Sequence, residues 1–257
     1  VTLELSFLPN VAAMFMLMFA RLGTMVMLLP ALGESAIPVR MRLTIALGLT
    51  LVLYPVVSRF YPQDLTSNIP RLGTYVAGEF IIGFAIGLSA RMITATLQIA
   101  GTIMANQIGL AFAMGADMVS TGQQGALIGN YLSILAVTLV FVTDAHFLVI
   151  AALHDSFTLF PPGNIVPIGD FAKVALDTFS HIFTIAVRMS APFIVVGLVF
   201  YFGLGLLNKL MPQLQIFFIS IPVSITFGIA LLLVLIGTIM NWYLGHFTEQ
   251  LGRFTAG

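Results

Sequence analysis

Long apolar stretches separated by short polar or proline-bearing breaks set the pattern of this chain. They run approximately over Val11–Leu32, Leu43–Val57, Leu72–Ala90, Met92–Ala113, Ala126–Leu153, Asp177–Asn208 and Leu214–Leu244. A hydrocarbon core about 30 Å thick takes ~20 helical residues to cross, which is the scale of these runs. Membrane strands would instead show segments of about 10 residues with alternating polarity. Here the runs are longer and apolar on every face, as buried or membrane helices are. The pattern predicts an all-α, membrane-associated chain of six to seven long helices, partly broken by Pro and Gly. Breaks fall at Glu34–Pro38, Tyr61–Pro70 and Phe160–Asp170, the last being the best candidate boundary. Beyond about Ala175 the pattern fits a long two-helix hairpin turning near Asn208–Pro212. The first ten residues lack a basic stretch, and no small-residue cleavage site follows, so no removable signal peptide is expected.

Composition sharpens this picture. Of 257 residues 59% are hydrophobic and 8% charged, against roughly 25% charged in soluble domains, which is too little charge to coat a soluble surface. Ten basic and ten acidic residues cancel, so no basic field exists to hold nucleic acid. The absence of cysteine excludes disulfides, thiolate metal sites and Cys nucleophiles. Lys and Arg are spread without loop bias, so orientation cannot be read from them.

Enzymatic chemistry finds no support. His154-Asp155-Ser156 has the residue types of a hydrolytic triad, but three adjacent side chains point in different directions, and chance accounts for them better. His146 and His154 do not have the spacing of a helical metal pair. There is no phosphate-binding loop and no serine elbow. No catalytic, metal or cofactor residue is assigned, and a non-enzymatic role is expected.

Five charged residues interrupt the apolar runs: Arg21, Glu79, Arg91, Asp144 and Arg188. A charge at hydrocarbon depth costs several kcal/mol, so each is expected to find a partner, a wet cavity or the interface. Ion pairing or snorkelling at helix ends is one account; a polar lining, a subunit contact or a proton relay is another. Glycines recur at close-packing intervals, as in Gly78, Gly83 and Gly87. Pro30, Pro192, Pro212 and Pro222 are expected to bend or break their helices. In Ile108–Met118, Gly109 and Gly115 flank a short apolar segment holding Phe112 and Met114. It reads either as a helix end with core contacts or as a movable constriction that closes a pore.

Taken together, these residues resemble the FliR/SctT family, export-gate subunits of bacterial flagella and related type III secretion systems. The resemblance is carried by Arg21 with Pro30, by Ile37-Pro38-Val39-Arg40-Met41-Arg42, and by Gly78-Glu79-Phe80-Ile81-Ile82-Gly83 with Gly87. It continues through Gly101, Gln107-Ile108-Gly109-Leu110-Ala111-Phe112, His146 and Ser156. Most specific is Met211 to Pro222, similar to the family's Pro-Gln-x-Asn-x-Phe-Phe-x-x-x-Pro signature. Gln215 stands where the family usually has Asn, Ser224 replaces a basic residue, and Gly115 stands where a second plug aromatic would be.

The resemblance implies a FliP-like helical part over 1–175 and a FliQ-like hairpin over 176–257, within a helical hetero-oligomer. The implied partners are FliP-like and FliQ-like subunits, with FlhB-like and FlhA-like components supplying selection and energy. The implied role is a pore subunit passing unfolded flagellar proteins across the bacterial inner membrane, in the flagellar basal body. Phe112, Met114 and Met118 would then form the pore plug, with Gly109 and Gly115 as its hinges. Arg21, Glu79, Arg91, Arg188, Gln213 and Gln215 would be buried polar or subunit contacts. A virulence-type gate subunit and a secondary transporter with a midplane polar site are the alternatives. Because lipid and packed apolar side chains suit an apolar face equally well, the seven runs predict burial before they predict membrane crossing.

Overall fold

A computed structural model describes residues 8–30, 32–33, 37–62, 65, 69–110, 126–164, 168–211 and 216–255. Seven α-helices occupy them: α1 (Leu8–Leu28), α2 (Val39–Val57, continued by a 3-10 turn Ser58–Phe60), α3 (Ile69–Gln107), α4 (Ala126–Val142), α5 (His146–Leu159), α6 (Ile168–Leu210) and α7 (Ile216–Gly252). The described residues contain no strand. The chain is an all-α membrane protein, as the runs predicted. Five helices are long and apolar enough to cross a membrane, and the pair α4–α5 qualifies together as a broken sixth.

Two boundaries differ from the sequence reading. The run Leu72–Ala90 and the described part of the next run, Met92 to Gln107, form one helix of 39 residues through Arg91. Arginine is a good helix former and its side chain lies on an exposed face, so nothing there interrupts the backbone. Conversely, Ala126–Leu153 is not one helix. It stops at Val142 and restarts at His146, with Asp144 in the left-handed region at φ 58°, a conformation that Asp tolerates better than most residues. Pro192 and Pro222 do not end their helices; α6 and α7 run on through them.

The chain divides into two compact units. The first takes residues 1–93, 141–178 and 247–257, and the second 94–140 and 179–246. Unit one holds a core of Leu17, Met18, Leu22, Met25, Ile82, Ile86 and Phe157. Unit two is centred on Leu97, Ala100, Met104, Leu132, Ala186 and Phe193. Each unit draws on residues from both sides of the 175/176 boundary, because α3, α6 and α7 are long enough to serve both.

Burial separates these helices by role. Of the most apolar stretch of α3, 56% is buried within the chain, against 17% for α2 and for α6 and 22% for α7. So α3, with α1 at 44%, is the better buried, and α2, α6 and α7 present apolar faces outward. Within unit two α3 packs closely. A Cβ on Gly101 would lie 2.3 Å from the Gly129 nitrogen, so α3 and α4 touch backbone to backbone. The Ser190 hydroxyl on α6 donates to the Ala100 carbonyl at 3.1 Å.

Candidate functional site

Two places gather the residues that the sequence singled out. The first, in unit one, begins at Arg21 in the middle of α1, a position fully buried. A buried guanidinium needs acceptors for a planar fork of donors. Its Nε donates to the Glu79 carboxylate on α3. Its terminal nitrogens donate to the Ser156 carbonyl at 2.8 Å and the Phe160 carbonyl at 2.9 Å. These carbonyls lie at the carboxyl end of α5, where a cation is favourable, and the Ser156 carbonyl also accepts the Phe160 N–H at 3.0 Å. The Phe157 ring lies 4.4 Å below the guanidinium carbon and is tilted against Tyr61 at 6.3 Å.

Why α1 and α3 meet at this point is written in Gly83. A Cβ there would sit 2.4 Å from the Arg21 carbonyl oxygen. With no side chain at Gly83 the backbones close up, and Glu79, one turn earlier on the same face, reaches the guanidinium. Gly87 extends the approach beneath Leu28 and Met25.

Tyr61, just beyond the 3-10 turn, is also buried. Its hydroxyl sits beside the Glu79 carboxylate without meeting hydrogen-bond geometry. Burial, and after it the Glu79 charge, pushes its phenol above the ordinary tyrosine range, so it stays neutral. Glu79 also lines a cleft of about 280 Å³ with Thr74, Tyr75, Gly78, Ile82, Gly163 and Asn164. Arg42, in the segment Ile37–Arg42, folds back onto its own loop, donating to the Ile37 carbonyl at 2.8 Å and 3.0 Å.

The second place, in unit two, is the end of α3. Gly109 stands at φ +76° and its N–H bonds to the Asn106 carbonyl at 3.2 Å, the geometry of a helix-ending glycine. A Cβ on Gly228 of α7 would lie 2.1 Å from Ile108 Cγ2, and one on Gly197 of α6 would lie 2.6 Å from Gln107 Oε1. Ile108 and Gln107 are thus seated in two glycine notches, and the helix end is fixed between α6 and α7.

Over residues 12–250 the chain matches the model of a family described as bacterial export proteins, family 1. It belongs to that family. A flagellar biosynthetic protein FliR of Caulobacter vibrioides is 38% identical over 239 residues, covering 93% of this chain and 94% of the relative. The protein of the same name from Escherichia coli strain K12 is 30% identical, covering 86% and 83%, and that of Bacillus subtilis is 27% identical, covering 88% and 86%. The chain is accordingly a flagellar export-apparatus subunit of the membrane, a structural component of the export machinery.

The buried charges therefore divide. Arg21 and Glu79 come together; Arg91 on α3 and Arg188 on α6 lie on exposed faces, so any burial they have comes from outside this chain. Gly109 is placed as above, whereas Phe112, Met114, Gly115, Met118, Gln213 and Gln215 lie outside the described residues. His154 and Asp155 bond to each other at 2.8 Å, while the buried Ser156 hydroxyl donates to the Leu153 carbonyl at 2.8 Å, so the three do not form a relay. Sequence reasoning missed the Ser156 and Phe160 carbonyls as acceptors, and Tyr61, because main-chain acceptors and a loop tyrosine leave no pattern. That Gly197 meets Gln107 is likewise revealed only by the fold.

Proposed function

We propose that this chain is the FliR-type subunit of a flagellar export gate, a non-enzymatic pore component that passes unfolded flagellar proteins across the inner membrane within the basal body. The observation that carries this reading is family membership over nearly the whole chain, with relatives named for flagellar biosynthesis. That naming favours a flagellar over a virulence system, and an export subunit over a solute transporter. FliP-like and FliQ-like subunits are the assembly partners, with FlhB-like and FlhA-like components beside them. The part over 1–175 is the FliP-like part and 176–257 the FliQ-like hairpin.

Within this gate Phe112, Met114 and Met118 close the pore at rest, and Gly109 and Gly115 bracket the moving segment. Arg91, Arg188, Gln213 and Gln215 are contacts to neighbouring subunits; Arg188 lies on an exposed face of an apolar helix, where dry surroundings call for a polar partner. The exposed apolar faces of α2, α6 and α7 support such an assembly. The helix α6, with 43 residues, is about 64 Å long at 1.5 Å per residue, twice the hydrocarbon thickness. Part of it must be covered by something other than lipid tails.

Co-expression of the tagged chain with FliP-like and FliQ-like subunits from the same source, followed by purification and imaging, tests the reading. A defined hetero-oligomer with this chain as a minor component is expected. A stable solitary monomer that ignores those partners, or solute transport by the chain alone, would count against it.

A further inference from the structure

The second half of α3 carries a surface unlike any other in its unit. Between residues 94 and 107 only Gln98, Thr102 and Asn106 are exposed, and all three are polar and uncharged. They recur every fourth residue, so they form one line along a single face. Elsewhere the same unit exposes Leu198 and Phe202 on α6, and Val223, Phe227, Leu233 and Val234 on α7. Those faces suit lipid or apolar packing, but the α3 line suits neither. Amide side chains facing hydrocarbon lose their water hydrogen bonds at a cost of several kcal/mol. The close contacts of α3 inside its unit are made through Gly101, Gln107 and Ile108, and at Gln98 through its main chain, whose Cα would lie 3.0 Å from a Cβ on Gly129 of α4.

Resting on the export-gate reading above, we propose that Gln98, Thr102 and Asn106 form a water-facing wall along which the main chain of the exported polypeptide passes. Three features select that occupant. Amide side chains both donate and accept, so they pair with peptide N–H and C=O groups whatever the side chains of the passenger. The Thr102 hydroxyl donates to the Gln98 carbonyl at 2.8 Å, which leaves its oxygen able to accept. Between residues 94 and 107 the line carries no charge, the exposed Arg91 standing two turns before Gln98, so this stretch neither holds nor repels acidic or basic passengers, as a conduit for many sequences requires. Neighbouring members are about 6 Å apart along the helix, close to the ~6.6 Å between alternate residues of an extended chain. The line ends at Asn106, whose carbonyl receives the Gly109 N–H that closes α3.

The chain contains no cysteine, so single cysteines report without background from it. Gln98→Cys, Thr102→Cys and Asn106→Cys, with Leu233→Cys and Val234→Cys as apolar-face controls, are placed in the gate assembled with its partner subunits in membrane vesicles of both orientations. The probe is a charged, membrane-impermeant methanethiosulfonate, which reacts with the hydrated thiolate. Positions 98, 102 and 106 are expected to label about tenfold faster than the controls from at least one side, and a stalled export substrate is expected to slow them severalfold. Labelling at 98 and 106 as slow as at 233 and 234 would overturn the proposal and mark the line as a subunit contact. Fast labelling that ignores the stalled substrate would overturn it too, leaving a wet surface off the path. Should one variant fail to assemble, either remaining position gives the same readout. A parent chain that forms no particle with those subunits would fail the export-gate reading itself, a result visible before any labelling.

Discussion

At the scale of single residues, Arg21 is the most constrained side chain in the described structure. It neutralises Glu79, caps the end of α5 through two carbonyls and covers the Phe157 ring. Arg21→Ala leaves a buried carboxylate alone and is expected to cost about 3–5 kcal/mol, read as loss of folded chain in detergent unfolding curves. Arg21→Lys keeps the charge but not the planar fork, so an intermediate loss is expected. Arg21→Met combined with Glu79→Leu removes both charges and is expected to recover much of the stability. Equal losses in Arg21→Ala and the double variant would show that pairing is not what holds the site. The Ser156 side chain takes no part in this contact, because Arg21 meets its main-chain carbonyl. Ser156→Ala is therefore expected to cost no more than about 1.5 kcal/mol, the loss of one internal hydrogen bond.

At the scale of elements, glycine positions divide by what a methyl group would meet. Gly83→Ala and Gly101→Ala would drive a Cβ into backbone at 2.4 Å and 2.3 Å. Helix backbones cannot move aside as a flexible side chain can, so losses of about 1–3 kcal/mol are expected in the same unfolding assay. Gly48 and Gly73 face open space, and alanine there is expected to be neutral or to stabilise by up to ~1 kcal/mol through helix propensity. A uniform response across all four positions would contradict the close-approach account. Gly228→Ala is expected to dislodge Ile108 from its notch, and Ile108→Gly in the same chain to relieve the clash. A thermal melt that falls in the single variant and recovers in the double would confirm that this pair seats the end of α3.

At the scale of the whole molecule, most outward faces of α2, α6 and α7 are apolar, and the function depends on what covers them. The plug is tested at this level, since closure is a property of the assembled gate. Phe112→Ala with Met114→Ala is expected to raise resting ion leak through the gate while leaving assembly yield unchanged. Unchanged leak would remove Phe112 and Met114 from that role.

The helices, their apolar character and the family were legible from the sequence, because hydrophobic period, run length and local motifs are properties of consecutive residues. So was the expectation that charges such as Arg21 and Glu79 need partners, since the cost of burying a charge is independent of fold. Tertiary structure alone decided which charge met which. Arg21 and Glu79 lie 58 positions apart, and only the missing side chain of Gly83 brings their helices close enough. It also decided that Arg91 would continue a helix while Asp144 would mark a break, and that an ordinary Gln-Ile pair would seat in two glycine notches. Such outcomes depend on which surfaces approach within a few ångströms, and a linear pattern carries no record of that distance.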